Sequence, residues 1–321
     1  MLEDYKQEFL KYIEEKTRFS EPSSLYEPVN YILQIGGKRI RPILALMGAD
    51  VFGANYKDAL DAALAVEVFH NFTLLHDDIM DDAPLRRGKQ TVHEKWDINT
   101  GILSGDAMLI LAYQFLEKYE PEIFKKLIAV FSKTAREVCE GQQYDIDFET
   151  RNDVAIDEYI KMIRLKTSVL VGAALKMGAI VAGVSEEQTE AIYDFGVNLG
   201  IAFQLQDDYL DAFGDPKSFG KKVGGDIIEN KKTFLYLKAL ELGTDEQKDI
   251  LFNLFQLTED SEDKINKAKS LFKNSGATSA TRNEILNYTN RAFEILDKLQ
   301  IEVSKKKLLQ AFGDQLMHRT V

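Results

Sequence analysis

Two Asp-Asp-x-x-Asp runs, each where a long apolar segment ends, constrain this chain more than any other feature. In the first, Asp77, Asp78, Asp81 and Asp82 fall within six residues, after an almost wholly apolar stretch from Ala59 and before Pro84, which is expected to stop the helix. In the second, Asp207, Asp208 and Asp211 close another apolar stretch, 130 residues further on. Asp77 and Asp81, like Asp207 and Asp211, are four apart and so share one helical face. Like charges at that spacing repel unless a cation sits between them. A hard divalent ion such as Mg2+ suits oxygen ligands of this kind and is shared readily with substrate phosphates. Arg86 and Arg87 follow the first run, and guanidinium is the side chain best shaped to grip phosphate oxygens. A single acidic run reads as a solvated helix end; two copies, each closing an apolar helix, point to a diphosphate site.

Apolar segments of this length predict helices, and the prolines fit that reading. They stand at 22, 28, 42, 84, 121 and 216, none inside a segment otherwise read as helical. With 45% apolar residues and no Gly/Ser-rich linker, the 321 residues read as one all-α domain spanning 1–321. A net charge of −12 argues against a nucleic-acid-binding surface. The lone Cys139 excludes a disulfide framework and fits a reducing cytoplasm, the expected location. The opening residues carry no signal-peptide pattern, and charge interrupts every apolar run before it could span a membrane.

Taken in order, residues 2–17 predict an amphipathic helix, and Pro22 and Pro28 bracket the start of a second, which ends at Gly36-Gly37. Lys38, Arg39 and Arg41 follow directly: either an ordinary solvated turn, or cations that flexible glycines let close on an anion. His70 lies seven residues before Asp77 in the 56–82 helix, so it is a core histidine or a donor to phosphate. Residues 90–96 read as a loop or short turn, and a helix starting at Pro121 is expected to end near Gly141. Lys166, Thr167 and Ser168 interrupt the apolar 155–182 helix. The lysine either snorkels to solvent or faces the same cavity as the aspartates. In the 186–213 helix Gly196 and Gly200 permit close helix contact, and the Lys217–Gly225 stretch is either a lid or a surface loop.

Together these motifs resemble the trans-isoprenyl diphosphate synthases, in order and spacing, from Gly36 to beyond Thr233. The resemblance implies an all-α isoprenoid-synthase fold: a single large helical domain, usually a homodimer, with a central cavity between two Asp-rich helix ends. It assigns Asp77, Asp78, Asp81, Asp207, Asp208 and Asp211 to metal binding, holding about three Mg2+ on an allylic diphosphate. Arg86, Lys166, Lys222 and Lys231 match the grips on that diphosphate, while Lys38, Arg41, His70 and Arg87 match an isopentenyl diphosphate site. Thr167 and Gln204 match positions lining the reaction centre. Phe72 and Thr73 match the positions that set product length, with Phe69 one turn deeper. An aromatic residue followed by a small one implies a C20 product, geranylgeranyl diphosphate, rather than C15 farnesyl diphosphate. The tail, Met317 to Val321, is less basic than is usual in the family.

Other readings fit less well. A terpene cyclase has no need of the Gly36–Pro42 and Arg87 elements. A non-catalytic partner subunit would have lost metal ligands, which are all present here. An EF-hand needs alternating oxygen ligands and a glycine that the Asp207–Asp211 run lacks.

Overall fold

The computed structural model describes residues 2–215, 223–257 and 261–317. Lys222, most of the stretch read as a lid or loop, and the last four residues lie outside the described residues. Among the described residues the chain is helical, and its strands are confined to one short hairpin. None of the described helices is long and apolar enough to cross a membrane. The chain divides into two compact units, residues 1–135 with 173–193 and residues 136–172 with 194–321.

In the first unit α1 (Leu2–Lys16), α2 (Ser23–Gln34) and α3 (Ile40–Asp50) precede α4 (Leu60–Met80), which a 3-10 turn at Tyr56–Ala59 introduces. Ala62, Ala63, Ala65, Val66 and Val68 make α4 buried nearly all round. Leu44, Leu46 and Met47 on α3 are fully buried, each contributing roughly 1.5–3 kcal/mol. A Cβ on Gly48 would lie 2.2 Å from the Leu175 carbonyl, and one on Gly178 2.0 Å from that of Ala45. Here α3 and α9 (Val169–Val181) therefore meet backbone to backbone. Pro28 corrects one expectation, because it lies within α2. Its missing N–H leaves the Ser24 carbonyl unpaired by the helix, but Ser24 is exposed and water can serve it.

Helix α4 also stops earlier than Pro84 suggests. Ala83 N–H donates to the Asp78 carbonyl at 3.0 Å and Asp82 N–H to that of Ile79 at 3.4 Å. Asp82 takes a left-handed φ of 48°. This is a Schellman stop, with an aspartate where glycine is usual. The 90–96 stretch holds a short turn, the single helical turn α5 (Val92–Lys95), and before it a hairpin not expected from sequence, in which β1 (Leu85–Arg86) pairs with β2 (Lys89–Gln90). Arg87 and Gly88, both at positive φ, make the two-residue turn that a hairpin's twist demands. Helix α6 (Ile98–Leu116) comes next.

The second unit holds the end of α7 (Pro121–Thr150), α8 (Ile156–Ile163), the start of α9 and most of α10 (Glu186–Phe213). Beyond them come α11 (Gly225–Ile228), α12 (Phe234–Leu242), α13 (Asp245–Leu254), α14 (Glu262–Asn274), α15 (Ala277–Lys298) and α16 (Val303–Met317). Gly141 does not end a helix, since α7 runs nine residues past it. A π-turn at Arg164–Ser168 divides the expected 155–182 helix. Gly141 and Gly200 explain each other through that turn. A Cβ on Gly141 would sit 2.2 Å from Lys166 N, and one on Gly200 2.8 Å from Ser168 Cα. Both glycines exist to let α7 and α10 close on the bulge.

Candidate active site

At the end of α4 the four acids have separate roles. Asp81 N–H bonds the Asp77 carbonyl at 2.9 Å, so these two residues stack on one face at the helix end, Asp77 half-buried and Asp81 exposed. Asp82 lends its backbone to the Schellman turn and leaves its carboxylate exposed. Asp78 points inward and is 2% exposed. Arg86 Nε lies 2.8 Å from both Asp78 oxygens, and its Nη2 is 2.6 Å from Oδ1. Asp78, expected among the metal ligands, is paired here with Arg86, because the hairpin folds that guanidinium back over α4. The pair fixes where Arg86 stands.

The basic loop before α3 is turned by Gly36 and Gly37 at positive φ, with Arg39 at φ 53°. That geometry sends Arg39 inward, where it forms a buried ion pair with Glu67 and donates to the Leu33 carbonyl. Asn71 Nδ2 donates to Glu67 Oε1 at 3.1 Å, completing the network on α4. Lys38 remains exposed, and Arg41 Nη1 reaches His70 Nε2 at 3.1 Å. Arginine can only donate, so His70 Nε2 accepts and the ring proton sits on Nδ1. Burial, followed by Arg41, Arg87, Arg86 and Arg39, holds the His70 pKa well below its ordinary value. His70 is therefore neutral. The Arg87 guanidinium lies against Gly37, where an added Cβ would come within 2.5 Å of its Nη1. The structure thus gathers Arg41, His70, Arg86 and Arg87, which lie on three separate segments of the chain.

Below Asp77, Phe72 stacks edge-on against His76 at 4.7 Å between centroids and lies 5.6 Å from Phe69. Phe69 meets Phe131 at 5.3 Å, and Phe131 meets Tyr113 at 4.9 Å. Thr73 Oγ1 donates to the His70 carbonyl at 2.8 Å, which leaves its methyl as the outward group.

In the second unit the inward acid is Asp208, 6% exposed, which accepts from the Tyr159 hydroxyl and from Gln204 Nε2, the latter at 3.0 Å. Burial, with Asp226 and Asp207 adding negative charge, pushes its pKa up to about 8 against the effect of those hydrogen bonds. Asp207 and Asp211 flank it, half-buried. Asp211 Oδ2 accepts from Asp226 N–H at 3.0 Å, and its carbonyl accepts from Gly224 N–H at 2.7 Å. From the π-turn, Lys166 Nζ reaches Asp145 at 2.5 Å and Thr167 Oγ1 lies 3.4 Å from Gln204 Oε1. Lys231 bonds Glu229 at 2.8 Å and lies 4.0 Å from Asp226. Burial works against its charge, but those carboxylates and Asp145 hold its pKa above the ordinary value.

Asp145, Tyr159, Asp226 and Glu67 belong to these clusters and were not singled out by sequence, while Arg39, read among the cations of its loop, turns inward to Glu67 instead. Asp145 carried a signal, lying one turn after Gly141 on the face turned to the π-turn. Tyr159 carried none, since a tyrosine on an amphipathic helix is ordinary core.

The description polyprenyl synthetase fits the chain over residues 22–272. The geranylgeranyl diphosphate synthase of Methanosarcina mazei is 38% identical, the match covering 96% of this chain and 93% of that protein. The geranylfarnesyl diphosphate synthase of Natronomonas pharaonis is 35% identical over 96% of this chain and 94% of its own. A crystal structure of a geranylgeranyl pyrophosphate synthase superposes with a TM-score of 0.95 at 56% identity, covering 99% of both chains. Paired acidic helix ends, a gathered arginine–histidine group and matches over nearly the whole chain agree, and the chain belongs to the polyprenyl synthetase family of all-α prenyltransferases.

Proposed function

We propose that this prenyltransferase condenses isopentenyl diphosphate with dimethylallyl, geranyl and farnesyl diphosphates, with geranylgeranyl diphosphate the main product and farnesyl diphosphate the alternative. The observation that carries this reading is the first unit's Asp77–Asp81 face together with the Arg41–His70–Arg87 group, two charge-complementary elements that share α4 through Asp77 and His70. Lys38, Arg41 and Arg87 take the diphosphate of isopentenyl diphosphate. Neutral His70, its Nε2 filled by Arg41, offers the Nδ1 hydrogen to it. Arg86, Lys166, Lys222 and Lys231 grip the allylic diphosphate, stabilising charge as the C–O bond breaks. Gln204, its amide nitrogen engaged by Asp208, turns its carbonyl oxygen toward Thr167, where the pair can stabilise an allylic cation. The isopentenyl double bond attacks that cation, and the departed diphosphate removes the proton.

The carboxylates suit Mg2+: Asp77 and Asp81 stack on one face, and Asp226 and Asp207 add negative charge around the buried Asp208. Asp77, Asp81, Asp207 and Asp211 would hold the ions, with Asp78 and Asp208 as their buried supports. Bound Mg2+ neutralises charge on the leaving diphosphate. The reading takes residues 1–321 as one working domain, because α7, α9 and α10 each continue from one unit into the other. It takes the chain as a cytoplasmic homodimer, supported by exposed Ile98, Ile102, Leu103 and Ile110 on α6.

The test offers purified protein Mg2+, labelled isopentenyl diphosphate and each allylic primer separately, and sizes the products. A C20 product from all three primers supports the reading. Products stopping at C15, with farnesyl diphosphate refused, would overturn the chain length alone. No condensation with any primer would replace the enzyme by a partner subunit.

A further inference from the structure

Between the first Asp-rich end and α6 lies a side-chain group that the diphosphate chemistry does not use. His93 on α5 is 8% exposed, and neither ring nitrogen has a hydrogen-bond partner among the described residues. A neutral imidazole offers one donor and one acceptor, and buried polar groups without partners are rare. Two carboxylates stand beside it. Asp82 comes from the left-handed stop of α4 and Glu94 from α5 itself, and one ligand atom from each of Asp82, His93 and Glu94 lies within 4.8 Å of the others. His93 Nε2 is 3.9 Å from Glu94 Oε1. The carboxylates are exposed, so an ion can enter from solvent while the imidazole meets it from inside.

The backbone builds this approach. Thr91, buried, donates its N–H to the Pro84 carbonyl at 3.2 Å and its hydroxyl to the Ala83 carbonyl at 2.7 Å. These bonds close the two ends of the hairpin segment, so residue 82 meets residues 93 and 94 whatever their side chains do.

We propose that Asp82, His93 and Glu94 bind a divalent first-row transition ion such as Zn2+, separately from the Asp77–Asp81 face. Metal–ligand bonds of about 2.0–2.2 Å bring such donors close to the observed separations after small side-chain turns. One imidazole with two carboxylates leaves room for water, and the nitrogen donor favours Zn2+, Fe2+ or Co2+ over Mg2+. The ion would tie the stop of α4 to α5 and so brace the hairpin that presents Arg86 and Arg87. That last consequence rests on the diphosphate reading of those arginines; the site does not.

The test titrates Co2+ into metal-free full-length protein held in excess Mg2+, and records the visible spectrum and thermal midpoint. A d–d band typical of a nitrogen-containing site should appear, resist further Mg2+ and be displaced by Zn2+. Glu94→Gln and His93→Gln should abolish it, while Asp81→Ala and Asp207→Ala should keep it. Zn2+ should raise the melting temperature of the wild type and leave that of Glu94→Gln unmoved. No band, or a band lost in Asp81→Ala and kept in Glu94→Gln, overturns the site. If His93→Gln does not fold, the exposed changes Asp82→Asn and Glu94→Gln decide alone. Failure of the condensation assay with the band intact would sink the proposed function and leave this site standing.

Discussion

The two Asp-rich helix ends share a sequence pattern and differ in how each treats its inward acid. Asp78 is neutralised by Arg86, a cation of the protein itself. Among the described residues Asp208 accepts from the neutral donors Tyr159 and Gln204, with Asp226 and Asp207 adding to the negative charge around it. The inward acid of the first end is therefore paired within the protein, beside an arginine-rich group. Around the second, Lys166 turns to Asp145 and Lys231 to Glu229. The same motif thus yields one inward acid paired with a guanidinium and another held by neutral hydrogen-bond donors.

If both ends hold the leaving diphosphate, removing either outer acid should be equally severe. Asp81→Ala and Asp207→Ala should each lower kcat on the order of 10³-fold, as loss of a major electrostatic contact does, with unchanged far-ultraviolet circular dichroism. A mutant within tenfold of wild type would remove its end from the chemistry. Next in size come the glycines that let each cluster form. Gly141→Ala forces a Cβ to within 2.2 Å of Lys166 N and should cost kcat about 10²-fold with little change in KM for isopentenyl diphosphate. Gly37→Ala presses on the Arg87 guanidinium at a φ of 145°, and should instead raise that KM, by about tenfold or more. Swapped kinetic signatures would show that the clusters had been assigned to the wrong substrates.

How much of this was legible in sequence follows from which forces are local. The helices were, because long apolar runs ending in acids allow little else. The π-turn was not: Lys166 and Thr167 looked out of place, but only contact with Gly141 and Gly200 shows why the helix bulges there. Gly141 misled for the same reason, since local rules make glycine a helix stop and the tertiary approach of backbones overrides them. The acids of each motif were legible as a set, but not their division of labour. Successive helical residues are turned by about 100°, so one of two adjacent aspartates must face inward. Which one finds a partner is decided by Arg86, eight residues away on a hairpin, or by Tyr159, on a different helix. The hairpin itself was hidden because its turn uses Arg87 before Gly88, in place of the usual Asn or Asp.

A third prediction separates the inward acids by stability alone. Asp78→Asn leaves Arg86 without its counter-charge and should destabilise the metal-free protein by about 2 kcal/mol, less than a fully buried pair because Arg86 is partly exposed. Asp208→Asn removes a carboxyl that its surroundings disfavour, and should leave stability within about 1 kcal/mol of wild type or raise it. Chemical denaturation without Mg2+ measures both. Equal losses would mean that the two ends are electrostatically alike after all.

The smallest effect on rate, and the one confined to the first end, concerns product length. Only this end stands above an aromatic ladder, Phe72 to Phe69 to Phe131, while the acids of the second are backed by the hydroxyl of Tyr159 and the amide of Gln204. At about 1.5 Å per residue, Phe72 lies roughly 7–8 Å down the helix axis from Asp77, within reach of a growing hydrocarbon tail. Phe69 is wedged against Phe131 and fully buried, so it cannot yield without disturbing the core. Phe72 is held on one side only by His76 and Phe69. Phe72→Ala should therefore shift products beyond C20 while changing the rate of the first condensation by less than about tenfold, because the charged groups stay in place. Thr73→Phe should do the reverse and stop elongation at C15. If Phe72→Ala lowers the melting temperature without lengthening the product, the ring serves to pack His76, and the tail of the substrate takes another course.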